Sequence, residues 1–227
     1  MQEILINPYT AIRLFAKTYL YIGEKLLTDK KYKRTREAWI ASMYLISLKK
    51  ESGQEWYFKP ENRDGSPDFY CYTFIHNEQK GGSIKPEMKL EVFEWRKEDD
   101  EKDFIKSLNR IKLNKIIDPS ITLLCYVKKD TILPPAVELN KEIKKINPKV
   151  KDIWYLGSVS QDSKFWRITQ IYPNALAIDI DYDEVLTTKE EHGFISAYRG
   201  KSDRLEYEPT GKQVLLTPEF EIKLDSD

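Results

Sequence analysis

The chain is poor in the residues that build covalent or metal frameworks, with 2 cysteines and 2 histidines in 227 residues. Cys71 and Cys125 each sit in an apolar run (Tyr70-Cys71-Tyr72 and Leu124-Cys125-Tyr126), the setting of a buried, reduced thiol. His76 and His192 are too few for a zinc site without help, and neither thiol flanks them at ligand spacing. Glycine is scarce, and there is no Gly/Ser-rich tract, collagen-like period or internal repeat. No apolar run approaches the roughly 18 residues that span a bilayer. The start, Met1-Gln2-Glu3, lacks the basic residues and apolar run of a signal peptide. The expectation is a soluble, cytoplasmic protein. Net charge is also missing: 37 Lys and Arg balance 37 Asp and Glu. That excludes histone-like binding through bulk charge but leaves room for a local basic patch. There is no P-loop, no GxGxxG after a strand and no GxSxG elbow, which removes the enzyme classes built on those motifs.

What the chain does have is a core. Hydrophobic residues make up 41%, and 14 Tyr and 5 Trp exclude a disordered polymer. Pro8 to Asp29 has Ala11, Leu14, Phe15, Tyr19, Ile22 and Leu26 at helical spacing behind an Asn7-Pro8 cap. Thr35 to Lys50 is a second helix, apolar nearly all round and therefore buried, ended by Gly53. The period then changes. Trp56 to Phe58, Asp68 to Ile75 and Met88 to Trp95 read as strands, with a loop at Asn77 to Pro86 that contains Gly81-Gly82. The acidic run from Glu98 opens a helix that continues to about Leu113. Ser120 to Lys128 is a largely apolar strand of the kind found inside a covered sheet. Pro134-Pro135 opens a helix to about Ile146, and Ile153 to Gly157 is another strand. Phe165 to Asp227 is strand-rich, with clean alternation at Ile178 to Tyr182. No linker stands out. The expectation is an α/β fold in one domain, 1–227, with a mixed central sheet flanked by helices. Residues 1–34 form an N-terminal helical part, and 153–227 a strand-rich C-terminal extension.

The chemistry is concentrated in Pro67-Asp68 and in Glu87-Met88-Lys89-Leu90-Glu91-Val92-Phe93-Glu94. Alternation along a strand puts Glu87, Lys89, Glu91, Phe93 and Trp95 on one face and Met88, Leu90, Val92 and Glu94 on the other. Charge on a strand face that should be buried requires pairing or a metal. Asp68 begins the neighbouring strand and can lie beside this set in an antiparallel hairpin.

With these residues the chain resembles the PD-(D/E)xK nuclease superfamily, which pairs Pro-Asp at the start of one strand with Glu-x-Lys in the next, followed by a helix and a hydrophobic strand. The resemblance covers roughly Thr35 to Lys128, taken as a nuclease-like core at 35–128. It implies a restriction-endonuclease-like fold and a metal-dependent endonuclease acting on DNA, of restriction, repair or phage-defence type. A homodimer or a partner subunit is a further implication. In one alignment Glu87-Met88-Lys89 is a literal Glu-x-Lys at the strand edge. In the other Glu91 is the mid-strand acid, Phe93 takes the lysine's position, and Lys89 substitutes from the same face. The second is favoured, with Asp68 and Glu91 as ligands of Mg²⁺ or Mn²⁺ and Lys89 beside the attacking water. Glu37, on the helix before Pro-Asp, fits the role of an additional glutamate. Phe93 keeps open an inactive, nuclease-like subunit or DNA-binding module. The basic run before Glu37 contains Lys31, Lys33, Arg34 and Arg36 around Tyr32, residue types that contact phosphates.

Overall fold

The structure is a computed structural model. It describes residues 3–61, 66–75, 83–96, 103–128, 132–160, 162–190, 192–199, 205–210 and 214–224. In chain order the elements are β1 (Glu3–Ile6), α1 (Pro8–Ile22), α2 (Lys25–Thr28), α3 (Lys33–Ser52), β2 (Trp56–Pro60), β3 (Phe69–Ile75) and β4 (Ser83–Arg96). They continue with α4 (Phe104–Leu108), a π-helical turn (Asn109–Leu113), β5 (Ile121–Lys128), α5 (Ala136–Ile146), β6 (Asp152–Ser158), β7 (Phe165–Tyr172) and β8 (Leu176–Asp181). The chain ends with α6 (Tyr182–Thr187), β9 (Phe194–Arg199), β10 (Leu205–Pro209), β11 (Val214–Leu216) and β12 (Ile222–Leu224). No helix among the described residues is long and apolar enough to cross a membrane.

Local chemistry explains the boundaries. The Asn7 side chain accepts from the Tyr9 N–H, and Pro8 starts α1 with a preset φ. The single helix expected to Asp29 is broken at Gly23, whose φ of 64° ends α1 and restarts the chain as α2. Gly53, at φ 70°, ends α3 with its N–H on the Lys49 carbonyl. Helix α3 is buried without interruption from Thr35 to Ser47, as its all-round apolarity requires. The expected acidic helix opening at Glu98 lies outside the described residues, as do Gly81-Gly82 and His76. The described helix starts after Asp103, which caps the Lys106 N–H.

The contacts divide the chain into two compact units. The first comprises Met1–Glu61, Phe69–Glu87 and Glu184–Asp227. Its strands follow the order β10-β9-β1-β2-β3-β4, and β10 returns to pair with β4 at Leu205↔Ile84 and Glu206↔Ser83. The six strands therefore form a closed ring, a feature the sequence reading missed. The registered pairs β1–β2, β1–β9, β9–β10, β2–β3 and β10–β4 are all antiparallel. One cluster of side chains draws on all six strands: Leu5, Tyr57, Tyr72, Ile84, Ile195 and Ala197, with Tyr70, Phe74 and Tyr207 against them. Outside that cluster, Phe58 stacks on Phe220 and meets Phe69 edge-on, and Phe15 stacks on Trp39 of α3.

The second unit comprises Asn62–Asp68 and Met88–Asp183. Here the expected mixed sheet is present. Strands β4, β5 and β6 run parallel, and β7 and β8 follow antiparallel. Parallel neighbours need long crossovers, which the α4 and α5 segments supply. Phe93, Trp95, Leu123, Cys125 and Ile153 from the strands pack against Phe104, Leu108, Leu113, Leu139 and Ile143 from the helical segments. Residues Ile121 to Cys125 of β5 are all buried, as a covered parallel strand should be.

In the first unit, Gly193 is held by close backbone approach. Its carbonyl accepts from the Asn7 N–H, and a Cβ at this position would lie 2.8 Å from Thr10 Oγ1. That hydroxyl donates to Glu190, which also pairs with Arg13. Gly193→Ala should lower stability by roughly 1–3 kcal/mol through overpacking. The measurement is the urea midpoint, and the cost should shrink in a Thr10→Ala background that removes the clashing atom.

Candidate cation site on strand β4

The site is built from the second unit. Asp68 enters just before β3, and its N–H donates to the Leu90 carbonyl at 2.8 Å. Its Oδ2 accepts from the Val92 N–H, also at 2.8 Å. The two bonds bracket Glu91, so the two acids are fixed to the same three-residue stretch of β4. Both are buried, Asp68 at 9% and Glu91 at 7% exposure.

Glu91 lies on the strand face shared with Phe93 and Trp95, opposite Leu123 of β5 in register. One of its oxygens, Oε1, takes the ammonium of Lys112 in an ion pair. The other, Oε2, is buried with no hydrogen-bond partner among the described residues. A buried carboxylate oxygen left in this state is costly and demands an explanation such as a bound cation or water.

Sequence reasoning missed Lys112. It sits in the π-helical turn Asn109–Leu113, where the Asn114 N–H reaches back five residues to the Asn109 carbonyl at 3.1 Å. A faint signal exists in the sequence. The buried positions Phe104, Leu108 and Leu113 are spaced four and then five apart, and the longer step marks the inserted residue.

The other expected site residues fall elsewhere. Lys89 gives its ammonium to Asp118 at 2.8 Å, so the lysine found at Glu91 comes from the helical segment and not from the strand. Phe93 is packed in the apolar cluster and supplies no charge. Glu87 belongs to the first unit, where it pairs with Lys85 at 2.9 Å and faces the Thr73 hydroxyl. Asp68 is bonded on either side of Glu91, the acid of the second alignment. Glu94 occupies the opposite face beside Tyr126, whose hydroxyl is pushed up to about 12 by burial and by Glu94. Cys71 and Cys125 are free, buried thiols held protonated by desolvation.

Glu37 also lies in the first unit. Its buried carboxylate is paired with Lys33 at 3.1 Å and Arg34 at 3.7 Å, so the expected extra glutamate is an ion-pair partner of the basic run. Lys31 pairs with Glu219 at 2.7 Å. Arg34 also donates to the Glu61 carbonyl and lies 5.7 Å over the Phe69 ring. Arg36, expected to contact phosphate, lies inside the unit. It is 2% exposed and donates to the Leu26 and Asp29 carbonyls, tying the α2 end to α3.

Among the described residues no cluster of three His, Cys, Asp or Glu side chains could hold a metal. The arrangement offers two carboxylates, one carrying a buried oxygen without a partner among the described residues. Hard oxygen donors that leave several positions to water suit Mg²⁺ better than zinc. Compared with known proteins, the chain matches no family model, no curated protein and no solved structure.

The Lys89–Asp118 pair gives a test by pH. Lys89 and Ser120 hold the Asp118 carboxyl at about 2, below its ordinary 3.8. A depressed carboxyl stabilises the fold above its unfolded value, and that contribution disappears as pH falls from near 4 toward 2. In Lys89→Met the Asp118 carboxyl resonance should titrate closer to 3.8, with Ser120 retaining part of the depression. The same variant should lose less stability across that acid range.

Proposed function

We propose that the chain is a divalent-cation-dependent hydrolase of phosphodiester bonds in DNA, serving restriction, repair or phage defence. The observation that carries this reading is the convergence of Asp68 and Glu91 on one stretch of β4, with Glu91 Oε2 buried and without a partner among the described residues. The order helix, three strands, helix, strand in α3–β2–β3–β4–α4–β5, with β5 parallel to β4, supports it further.

Asp68 and Glu91 would hold Mg²⁺ or Mn²⁺. Such an ion supplies charge neutralisation at a scissile phosphate and lowers the pKa of a bound water. The Val92 N–H fixes the Asp68 carboxylate, and the β4–β5 ladder fixes Glu91, so neither acid has to be ordered when substrate arrives. The apolar cluster around Phe93 and Trp95 keeps the strand face dry, which strengthens electrostatic effects there. Lys31, Lys33 and Arg34, each already ion-paired with an acid of the first unit, would have to trade those partners for a phosphate backbone.

A second reading is favoured by Phe93 at the lysine position and by the capture of Lys89 by Asp118. In it the same fold binds DNA without cutting, as a subunit or assembly module. The test is cleavage of duplex DNA in Mg²⁺ or Mn²⁺. Asp68→Asn and Glu91→Gln should each reduce the rate by at least about 100-fold, the scale of losing one electrostatic element of such a site. Cleavage that survives both changes rejects the site. Salt-sensitive DNA binding with no cleavage by the wild type establishes the second reading.

A further inference from the structure

We infer that Lys112 is the built-in counter-cation of this site: its ammonium neutralises Glu91 in the cation-free protein, and a divalent cation must displace it. The inference rests on the cation-dependent reading above and concerns how that site is governed.

Three observations carry it. Glu91 is a carboxylate on a strand face whose next positions, Phe93 and Trp95, belong to an apolar cluster, so its charge needs a partner in every state. Lys112 is that partner, yet it covers only Oε1 and leaves Oε2 buried and without a bond among the described residues. The two side chains also differ in freedom. That of Glu91 is 9% exposed and that of Lys112 is 22% exposed. A lysine stem can lie along apolar surface and carry its head into water, whereas Glu91 is fixed in a strand paired to β5. When a second cation approaches the carboxylate, Lys112 is therefore the group that moves.

An ammonium and a divalent cation drawn to one carboxylate repel each other, and a partly buried position screens that repulsion poorly. Lys112 thus makes divalent-cation binding weaker than two bare carboxylates would allow. It raises the concentration at which the site fills, and it protects the fold while the site is empty of metal. The lysine acts on Glu91 and sets occupancy; no proton transfer is assigned to it.

The experiment measures Mn²⁺ binding from the electron paramagnetic resonance signal of the free ion, in the full chain, with Glu91→Gln as the reference for site-specific binding. Lys112→Gln should bind Mn²⁺ at least about tenfold more tightly than wild type, and Lys112→Arg should stay within about threefold of it. A second measurement needs no variant. Labelling of Lys112 by acetic anhydride, read by mass spectrometry, should rise severalfold when wild type is saturated with Mn²⁺. It decides the matter if Lys112→Gln fails to fold. Glu91-dependent Mn²⁺ binding that is unchanged or weaker in Lys112→Gln overturns this inference alone, as does Lys112 labelling that Mn²⁺ leaves unchanged or suppresses. Absence of Glu91-dependent Mn²⁺ binding in wild type overturns both the cation-dependent reading and this inference.

Discussion

A negative charge at Glu91, on the inner face of a parallel strand, is the constraint from which the second unit follows. Parallel strands are covered on their faces, so a carboxylate there loses water that it cannot recover from apolar neighbours. The chain answers with a cation from the helical segment. Bringing Lys112 into reach coincides with a widened turn at Asn109–Leu113, and that turn also seats Leu113 in the core. One residue on β4 is thus linked to the shape of the crossover that leads into β5. Removing the carboxylate and its lysine together would leave an ordinary α/β layer, and removing either alone would strand a charge.

The regular elements were legible because their periods are strong. Helix α3 has apolar residues around its whole circumference and is buried throughout its middle. Strand β5 is a largely apolar run and lies between two parallel partners. Errors gathered where one residue decides. Gly23 cuts a continuous apolar stripe into two helices because its backbone takes a positive φ, and side-chain periodicity carries no record of that. The ring of the first unit was not legible for a different reason. It joins β1, β9 and β10, short strands from opposite ends of the chain, and pairing between segments so distant leaves no local pattern.

The candidate site was legible to the extent that strand alternation could reveal it. Asp68 and Glu91 stand out as acids beside or within apolar strands, and the structure places them on one stretch of β4. Alternation points to Lys89, two residues away, whose ammonium is paired with Asp118 from the loop before β5. Lys112 lies 21 positions along the chain from Glu91 in a helix with an irregular turn, where regular spacing misreports which side chains face inward. The setting of the basic run was only partly legible for a related reason. Arg36 reads as surface charge in sequence, but its place on the inner side of α3 turns the guanidinium toward main-chain carbonyls.

The closure of β10 onto β4 also bears on self-association. A sheet that ends leaves a row of main-chain donors and acceptors open to strands of other molecules, and a ring of strands has no such row. In the second unit the strand order ends at β8, which carries Asp179 and Asp181. Arg167 holds Asp179 through two hydrogen bonds, at 2.6 and 2.9 Å. Acidic side chains along a terminal strand discourage an identical strand from docking beside it, since like charges would then face each other. Closure thus removes the open edge where β10 meets β4, the terminal strand of the second unit carries acids instead, and the two-stranded β11–β12 sheet keeps edges of its own.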